Sequence, residues 1–255
     1  MTSLDVNATV RMVFFDVGGT VLRVQPSVGE VYSRTAADHG FDVESGWLGE
    51  RFKAAWKESI RRSWARSHVC SGEILRDEWF TVVRDTFGSS VPDPHLRPLF
   101  EDLYEKFVSA SAWSLVAGAR ETFERLRSWG IRLGVLSNWD SRLPRTLEQL
   151  GLDHYFEVVV ISYEVGYEKP HRKIFDEAVR RAGEPPARVL HVGDSWESDI
   201  EPARQYGLRT LWVASESERQ SREEPGPATD DFAVFAAAEW ESLLQGTAPG
   251  ANGFR

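Results

Sequence analysis

The sequence predicts an α/β protein: a doubly wound, Rossmann-like parallel sheet core with an inserted all-α cap domain. Three observations lead there. Short runs of β-branched, aromatic and aliphatic residues alternate with helical patterns, the rhythm of βαβ units. Each helical pattern stops at a glycine, the residue that closes helices in the left-handed conformation. Residues 26–113 break the rhythm with helical text and no good strand run. At 255 residues the chain is long enough for one such core plus a smaller insertion.

Residues 10–15 (VRMVFF) read as a buried strand ending in the turn Asp16-Val17-Gly18-Gly19-Thr20. The insertion comes next, with Trp47, Trp56, Trp64 and Trp79 at largely helical spacing, expected to form its own apolar core. A helix over 119–129, closed by Gly130, leads into a second strand at 131–136 (IRLGVL), which ends at Ser137. A helix over 144–150 precedes Gly151 and a third strand, 157–161 (EVVVI). Residues 172–182 form a helix stopped by Gly183, before a fourth strand at 188–192 (RVLHV). The helix over 200–206 ends at Gly207, and 209–213 (RTLWV) is the fifth strand. Residues 232–235 are a candidate sixth, 215–231 a polar loop and 245–255 a disordered tail. The expected division is therefore 1–24 with 114–255 as the α/β core and 25–113 as the cap.

Composition excludes several roles. With 39 acidic against 30 basic residues the net charge is −9, and no basic block is present. Such a chain repels phosphate backbones and anionic bilayers, so neither nucleic acid nor membrane is an expected partner. Cys70 is alone, which rules out an intrachain disulfide and a cysteine zinc site. The first 11 residues lack the basic start and apolar run of a signal peptide, and no stretch reaches the length of a membrane span. A cytoplasmic location is expected; oligomeric state is not legible.

In an open parallel sheet, ligands bind beyond the carboxyl ends of the strands. At the strand ends here lie Asp16 with Gly18, Gly19 and Thr20; Ser137 with Asn138; Lys169, in the loop beyond the third strand; and Asp194, with Asp199 beginning the next helix. Taken singly these are ordinary: an Asp-Gly turn, a Ser-Asn helix cap, a carboxylate balancing a helix dipole near Ile200. Four successive loops delivering a carboxylate, a hydroxyl, a cation and paired acids form a set suited to phosphoryl transfer. A carboxylate can attack phosphorus and divide hydrolysis into two easier steps. Two glycines let backbone approach an anion closely. Ser137 and Lys169 are candidates to bind the non-bridging oxygens, where charge grows in the transition state. Asp16 and Asp194 are candidates to hold Mg²⁺, a hard cation that prefers oxygen ligands. The expected partner is a small phosphorylated molecule.

The segments FFDVGGTVL (14–22), VLSNWDSRL (135–143), EVGYEKPHRKIF (164–175) and HVGDSWESDIEPARQYGL (191–208) resemble, in order and spacing, the four motifs of the haloacid dehalogenase superfamily. The resemblance covers about 10–24 and 114–213, and the insertion lies where one subgroup carries its cap. It implies Asp16 as nucleophile, Thr20 and Ser137 as phosphate binders and Lys169 as the motif lysine. Asp194 and Asp199 correspond to the acids around Mg²⁺, and the carbonyl of Gly18 to a further metal ligand. Gly19 and Asn138 belong to the same substrate-binding loops.

One position departs from the pattern. Phosphatases of the family carry a second aspartate two residues after the nucleophile, which protonates the leaving group and then activates water; here it is Gly18. General acid–base help is worth about 10²–10⁴-fold. Four chemistries therefore stay open: a phosphatase for good leaving groups such as acyl or aryl phosphates, a metal-free 2-haloacid dehalogenase, a phosphonate C–P hydrolase using Lys53 or Lys57, and a binding protein without turnover.

Overall fold

The computed structural model describes residues 9–222, 226–230, 232 and 237–245. They form two compact units, one drawn from 9–22, 115–138 and the described residues from 154 onward, the other from 23–114 and 139–153.

The first unit is the α/β core. Its strands are β1 (Met12–Phe15), β4 (Arg132–Ser137), β5 (Val158–Ile161), β6 (Val189–Gly193), β7 (Arg209–Val213) and β8 (Ala228–Thr229); β2 (Leu22–Val24) and β3 (Trp113–Leu115) pair separately. The six-stranded sheet runs β5-β4-β1-β6-β7-β8 and every pairing is parallel. The chain winds outward from β1 through β4 to β5, then returns to the far side of β1 at β6. Strand order thus reverses at β1, the crevice where such sheets bind ligands, and Asp16 is the residue immediately after it. All four residues of β1 are buried, as a central parallel strand covered on both faces requires. Of the helices on this core, α8 (Arg172–Ala182) is explicit about its inner face: Ile174, Phe175, Ala178 and Ala182 are buried.

The second unit is helical: α1 (Val28–Asp38), α2 (Ser45–Ala65), α3 (Gly72–Phe87), α4 (Asp93–Lys106) and α6 (Leu143–Gln149). Tyr32, Leu48, Val83, Phe87, Leu99, Phe100 and Leu103 share one apolar cluster. The remaining helices, α5 (Ala119–Ser128), α7 (Ser162–Val165), α9 (Glu201–Tyr206), α10 (Glu216–Gln220) and α11 (Ala237–Gln245), lie in the first unit. No helix among the described residues is long and apolar enough to cross a membrane.

Four expectations are revised. Residues 139–153, read as core, group with the helical unit. The tie is Arg142: it pairs with buried Asp140 at 2.7 Å, donates to the Tyr104 carbonyl at 3.0 Å and lies 3.6 Å over the Tyr104 ring. Trp47, Trp56 and Trp64 are 42%, 43% and 53% exposed rather than core. The seam of α2 is built from Leu48, Ala55 and Ser59, and only Trp79 packs against the cluster, with Trp56 stacked on it at 5.4 Å. Within the expected polar loop, Ser215 and Glu218 form a reciprocal capping box that starts α10. The sheet's sixth strand is β8, earlier than expected; apart from Phe232, residues 232–235 lie outside the described residues, as does the expected tail beyond Gln245.

Candidate active site

Register brings the site together. Phe15 lies level with Val135 on one side and Val192 on the other, and the Asp16 N–H donates to the Val192 carbonyl at 2.8 Å. Asp16 therefore emerges between the ends of β4 and β6, where Ser137 and Asp194 also emerge. Its side chain is 8% exposed. Asp16 Oδ1 accepts from Ser137 Oγ at 2.9 Å and from Lys169 Nζ at 2.7 Å.

Lys169 is buried and fully engaged. Its ammonium donates to Asp16, to Asp199 Oδ1 at 2.5 Å and to the Leu136 carbonyl at 2.9 Å, which accounts for its three protons. Asn138 clamps the backbone carrying it, donating from Nδ2 to the Lys169 carbonyl at 2.9 Å and accepting the Lys169 N–H on Oδ1 at 2.6 Å. Expected to meet substrate, Asn138 instead has both ends of its amide on the lysine loop.

The fourth loop is shaped by Gly193. A Cβ there would sit 2.4 Å from Asp199 Cγ, so only glycine admits the Asp199 carboxylate. Next comes a π-helical turn, Trp196–Ile200, a wide geometry often found at functional sites. It returns Asp199 toward the strand end, where Oδ2 accepts the Ser195 N–H at 3.1 Å. Asp194 is half-buried; it accepts from Thr20 Oγ1 at 3.1 Å, and its carbonyl accepts from Trp212 Nε1 at 2.8 Å. Gly19, at φ +89°, lies so close that a Cβ would be 2.3 Å from Asp194 Oδ2. Its N–H already donates to Leu22. The role of Gly19 here is to let the acid approach. Gly18 is exposed, with no left-handed φ.

Charge explains what the cluster can do. Asp16, Asp194 and Asp199 offer oxygens within 4.8 Å of one another, against one buried ammonium. Burial, then the charges of Asp16 and Asp199, push the Asp194 carboxyl up to about 7. Asp16 is also raised, by burial with Asp199 adding to it, although Lys169 opposes both. Burial works upward on Asp199 too, but Lys169 and His191 outweigh it and hold it at about 2. Three carboxylates beside one lysine resist full ionisation and so form a sink for further positive charge. Oxygen-only donors suit a hard divalent ion such as Mg²⁺. The residues fit that ion.

Two residues escaped sequence reasoning. His191, fully buried in β6, meets Asp199 Oδ1 through Nε2 at 2.8 Å. The signal was a lone polar residue inside an apolar strand. Trp212 anchors Asp194 from an apolar strand and carried no separate signal.

Known proteins resemble this chain in sequence and in fold. A family model for haloacid dehalogenase-like hydrolases matches residues 10–207. The bovine (Bos taurus) haloacid dehalogenase-like hydrolase domain-containing protein 3 is 36% identical over 207 residues, 80% of this chain and 82% of that protein. Pyrimidine 5'-nucleotidase YjjG of Escherichia coli K12 is 38% identical over 146 residues, 56% of this chain and 63% of that protein. In fold, the magnesium-bound hydrolase YfnB from Bacillus subtilis superimposes with a TM-score of 0.71 at 18% identity, covering 93% of this chain and 99% of that one. The defluorinating L-2-haloacid dehalogenase Rha0230 gives 0.73 at 18% identity, covering 91% and 95%.

Proposed function

Since the chain belongs to the haloacid dehalogenase-like hydrolase family, we propose that it hydrolyses small phosphorylated molecules through an aspartyl-phosphate on Asp16, with Mg²⁺ as cofactor. The observation that carries this reading is the convergence on Asp16: Lys169 and Ser137 on one carboxylate oxygen, and two further acids within 4.8 Å. Mg²⁺ would be held by Asp16, Asp194 and the Gly18 carbonyl, and would offset the repulsion between nucleophile and phosphate. Asp199, with both oxygens already accepting hydrogen bonds, serves Lys169 more than the metal. Residues 25–113 are proposed as the cap.

Asp16 attacks phosphorus and the bond to the leaving oxygen breaks. Water then attacks the aspartyl-phosphate, releasing phosphate and restoring the carboxylate. Gly18 supplies no proton for the first step and no base for the second. Substrates whose oxygen leaves without protonation, acyl and aryl phosphates, are therefore preferred. The nucleotidase relative and the magnesium-bound fold neighbour support the phosphate and metal parts. Gly18 itself favours a second reading, 2-haloacid dehalogenation, where no leaving-group proton is needed. Phosphonate cleavage loses ground, because Lys53 and Lys57 lie on the exposed face of α2 and Lys53 pairs with Glu50 at 2.6 Å.

A screen of acyl, aryl and alkyl phosphates with Mg²⁺, beside 2-chloropropionate in EDTA, decides between them. The expected result is Mg²⁺-dependent phosphate release, fastest from acyl and aryl substrates and abolished in Asp16→Asn. Halide release without metal would replace this reading with the second, and ligand binding without turnover would refute both.

A further inference from the structure

The proposed mechanism gives no role to a buried titratable group that touches the site. His191 is 0% exposed, in the middle of β6, with its ring edge-on to Phe175 at 6.3 Å and 81°. Nε2 lies 2.8 Å from Asp199 Oδ1, the same oxygen that receives Lys169 Nζ at 2.5 Å. Nδ1 is buried and meets no partner among the described residues.

These contacts fix where the ring carries a proton. Without one on Nε2 the imidazole would turn a lone pair toward a carboxylate, so Nε2 is the donor to Asp199 Oδ1. His191 thus gives the cluster a directed donor.

The shared oxygen determines what that donor directs. Asp199 Oδ2 is tied to the Ser195 N–H, so the carboxylate can still pivot about that end. The Nε2–H holds the other end, Oδ1, at the point where the lysine reaches it. The lysine in turn touches Asp16 at 2.7 Å. We propose that His191 is a positioning residue: donating from Nε2, it pins Asp199 Oδ1 and so fixes the Lys169 ammonium against the Asp16 carboxylate. The kinetic part of this inference rests on the hydrolase reading; the placement of the ammonium does not.

The test therefore has two arms. In the first, His191→Gln, His191→Asn and His191→Leu are compared on an aryl phosphate with Mg²⁺. Glutamine puts an amide N–H near the place of Nε2, asparagine falls short of it, and leucine removes the donor while keeping bulk. The expected kcat is within about 3-fold of native for Gln and lower by about 10–100-fold for Asn and Leu, the range typical of outer-shell partners. KM is expected to change little. Equal kcat across the three folded variants would overturn the proposal. So would a loss in Gln as large as in Leu, because packing and not the N–H would then be responsible. In the second arm, ¹⁵N NMR of the native protein is read without substrate. It should find a proton on His191 Nε2. The Lys169 Nζ signal should be protected from exchange in native and Gln proteins and exposed in Asn. An Nδ1–H tautomer, or a Lys169 signal indifferent to Asn, would refute the positioning role even if no phosphate is turned over. A native protein that passes this arm but hydrolyses nothing would instead count against the hydrolase reading alone.

Discussion

Replacing Lys169 with methionine removes the ammonium at nearly constant volume, and the structure sets the cost. The side chain is 2% exposed and its charge serves both Asp16 and Asp199. Deleting one partner of a buried ion pair costs about 3–5 kcal/mol, because the other charge stays buried and unpaired. For a chain of this size that lowers the thermal midpoint by about 6–20 °C. The dependence on pH comes from the two shifts. Asp199, held at about 2, contributes stability that is in place above its ordinary value of 3.8 and is lost as pH falls through about 2. Burial opposes the charge of Lys169, but Asp16 and Asp199 raise it above its ordinary 10.5; its contribution is present below that value and lost only in strong alkali. Between pH 5 and 8 both contributions are constant in the native protein. In Lys169→Met the burial of Asp199 goes unopposed by the lysine, so the folded variant takes up protons more readily than its unfolded chain. Its stability then rises as pH falls, and the deficit is largest at pH 8. Calorimetric midpoints in EDTA from pH 5 to 8 measure this directly. A fall below about 3 °C at pH 8, or a deficit that does not shrink toward pH 5, would refute the account of Lys169 as the counter-ion of two buried acids.

Other consequences are equally direct. With Asp194 held at about 7, Mg²⁺ must displace a proton below that pH, so its affinity by calorimetry should fall about tenfold per unit there; a flat profile would exclude Asp194 as a ligand. Gly18→Asp should speed alkyl phosphates by up to about 10²–10⁴-fold and aryl phosphates far less. An equal effect on both classes would mean that another group already moves the proton. Gly193→Ala forces a Cβ to within 2.4 Å of Asp199 Cγ. It should lower turnover by about 10–100-fold with the fold retained by circular dichroism, and unchanged turnover would separate Asp199 from the chemistry.

The parts of the site legible in the sequence are those set by strand ends. Asp16, Ser137 and Asp194 could be found because a parallel sheet gathers the residues at the ends of its strands, and Lys169 because it lies in the loop beyond one of them, past α7. Which way each group then turns depends on tertiary hydrogen bonds. Thr20 and Asn138, expected at the substrate, are engaged with Asp194 and with the backbone of Lys169. His191 was hidden because an apolar strand pattern assigns its members to the core by default. The tryptophans of α2 were misread for a related reason: helical spacing marks a face, while small residues such as Ala55 and Ser59 decide which face packs. The helix α10 was legible, since Ser215 and Glu218 have capping-box spacing, but the polar composition around them masked it.

The departure at Gly18 acquires a physical meaning from the charges around it. Asp194 already sits at about 7 because burial and two neighbouring acids disfavour its ionisation. A carboxylate at position 18 would add a negative charge to the loop that carries Asp16, one residue from the Gly19 that packs on Asp194. Glycine leaves the cluster less negative, so the resting site is less costly to keep ionised, and the penalty falls on proton transfer. That penalty is not uniform. It is small where the leaving oxygen is weakly basic and large where it is an alkoxide. In the proposed reaction a single missing side chain would therefore act as a chemical filter on the leaving group, separate from any shape selection by the residues proposed as the cap.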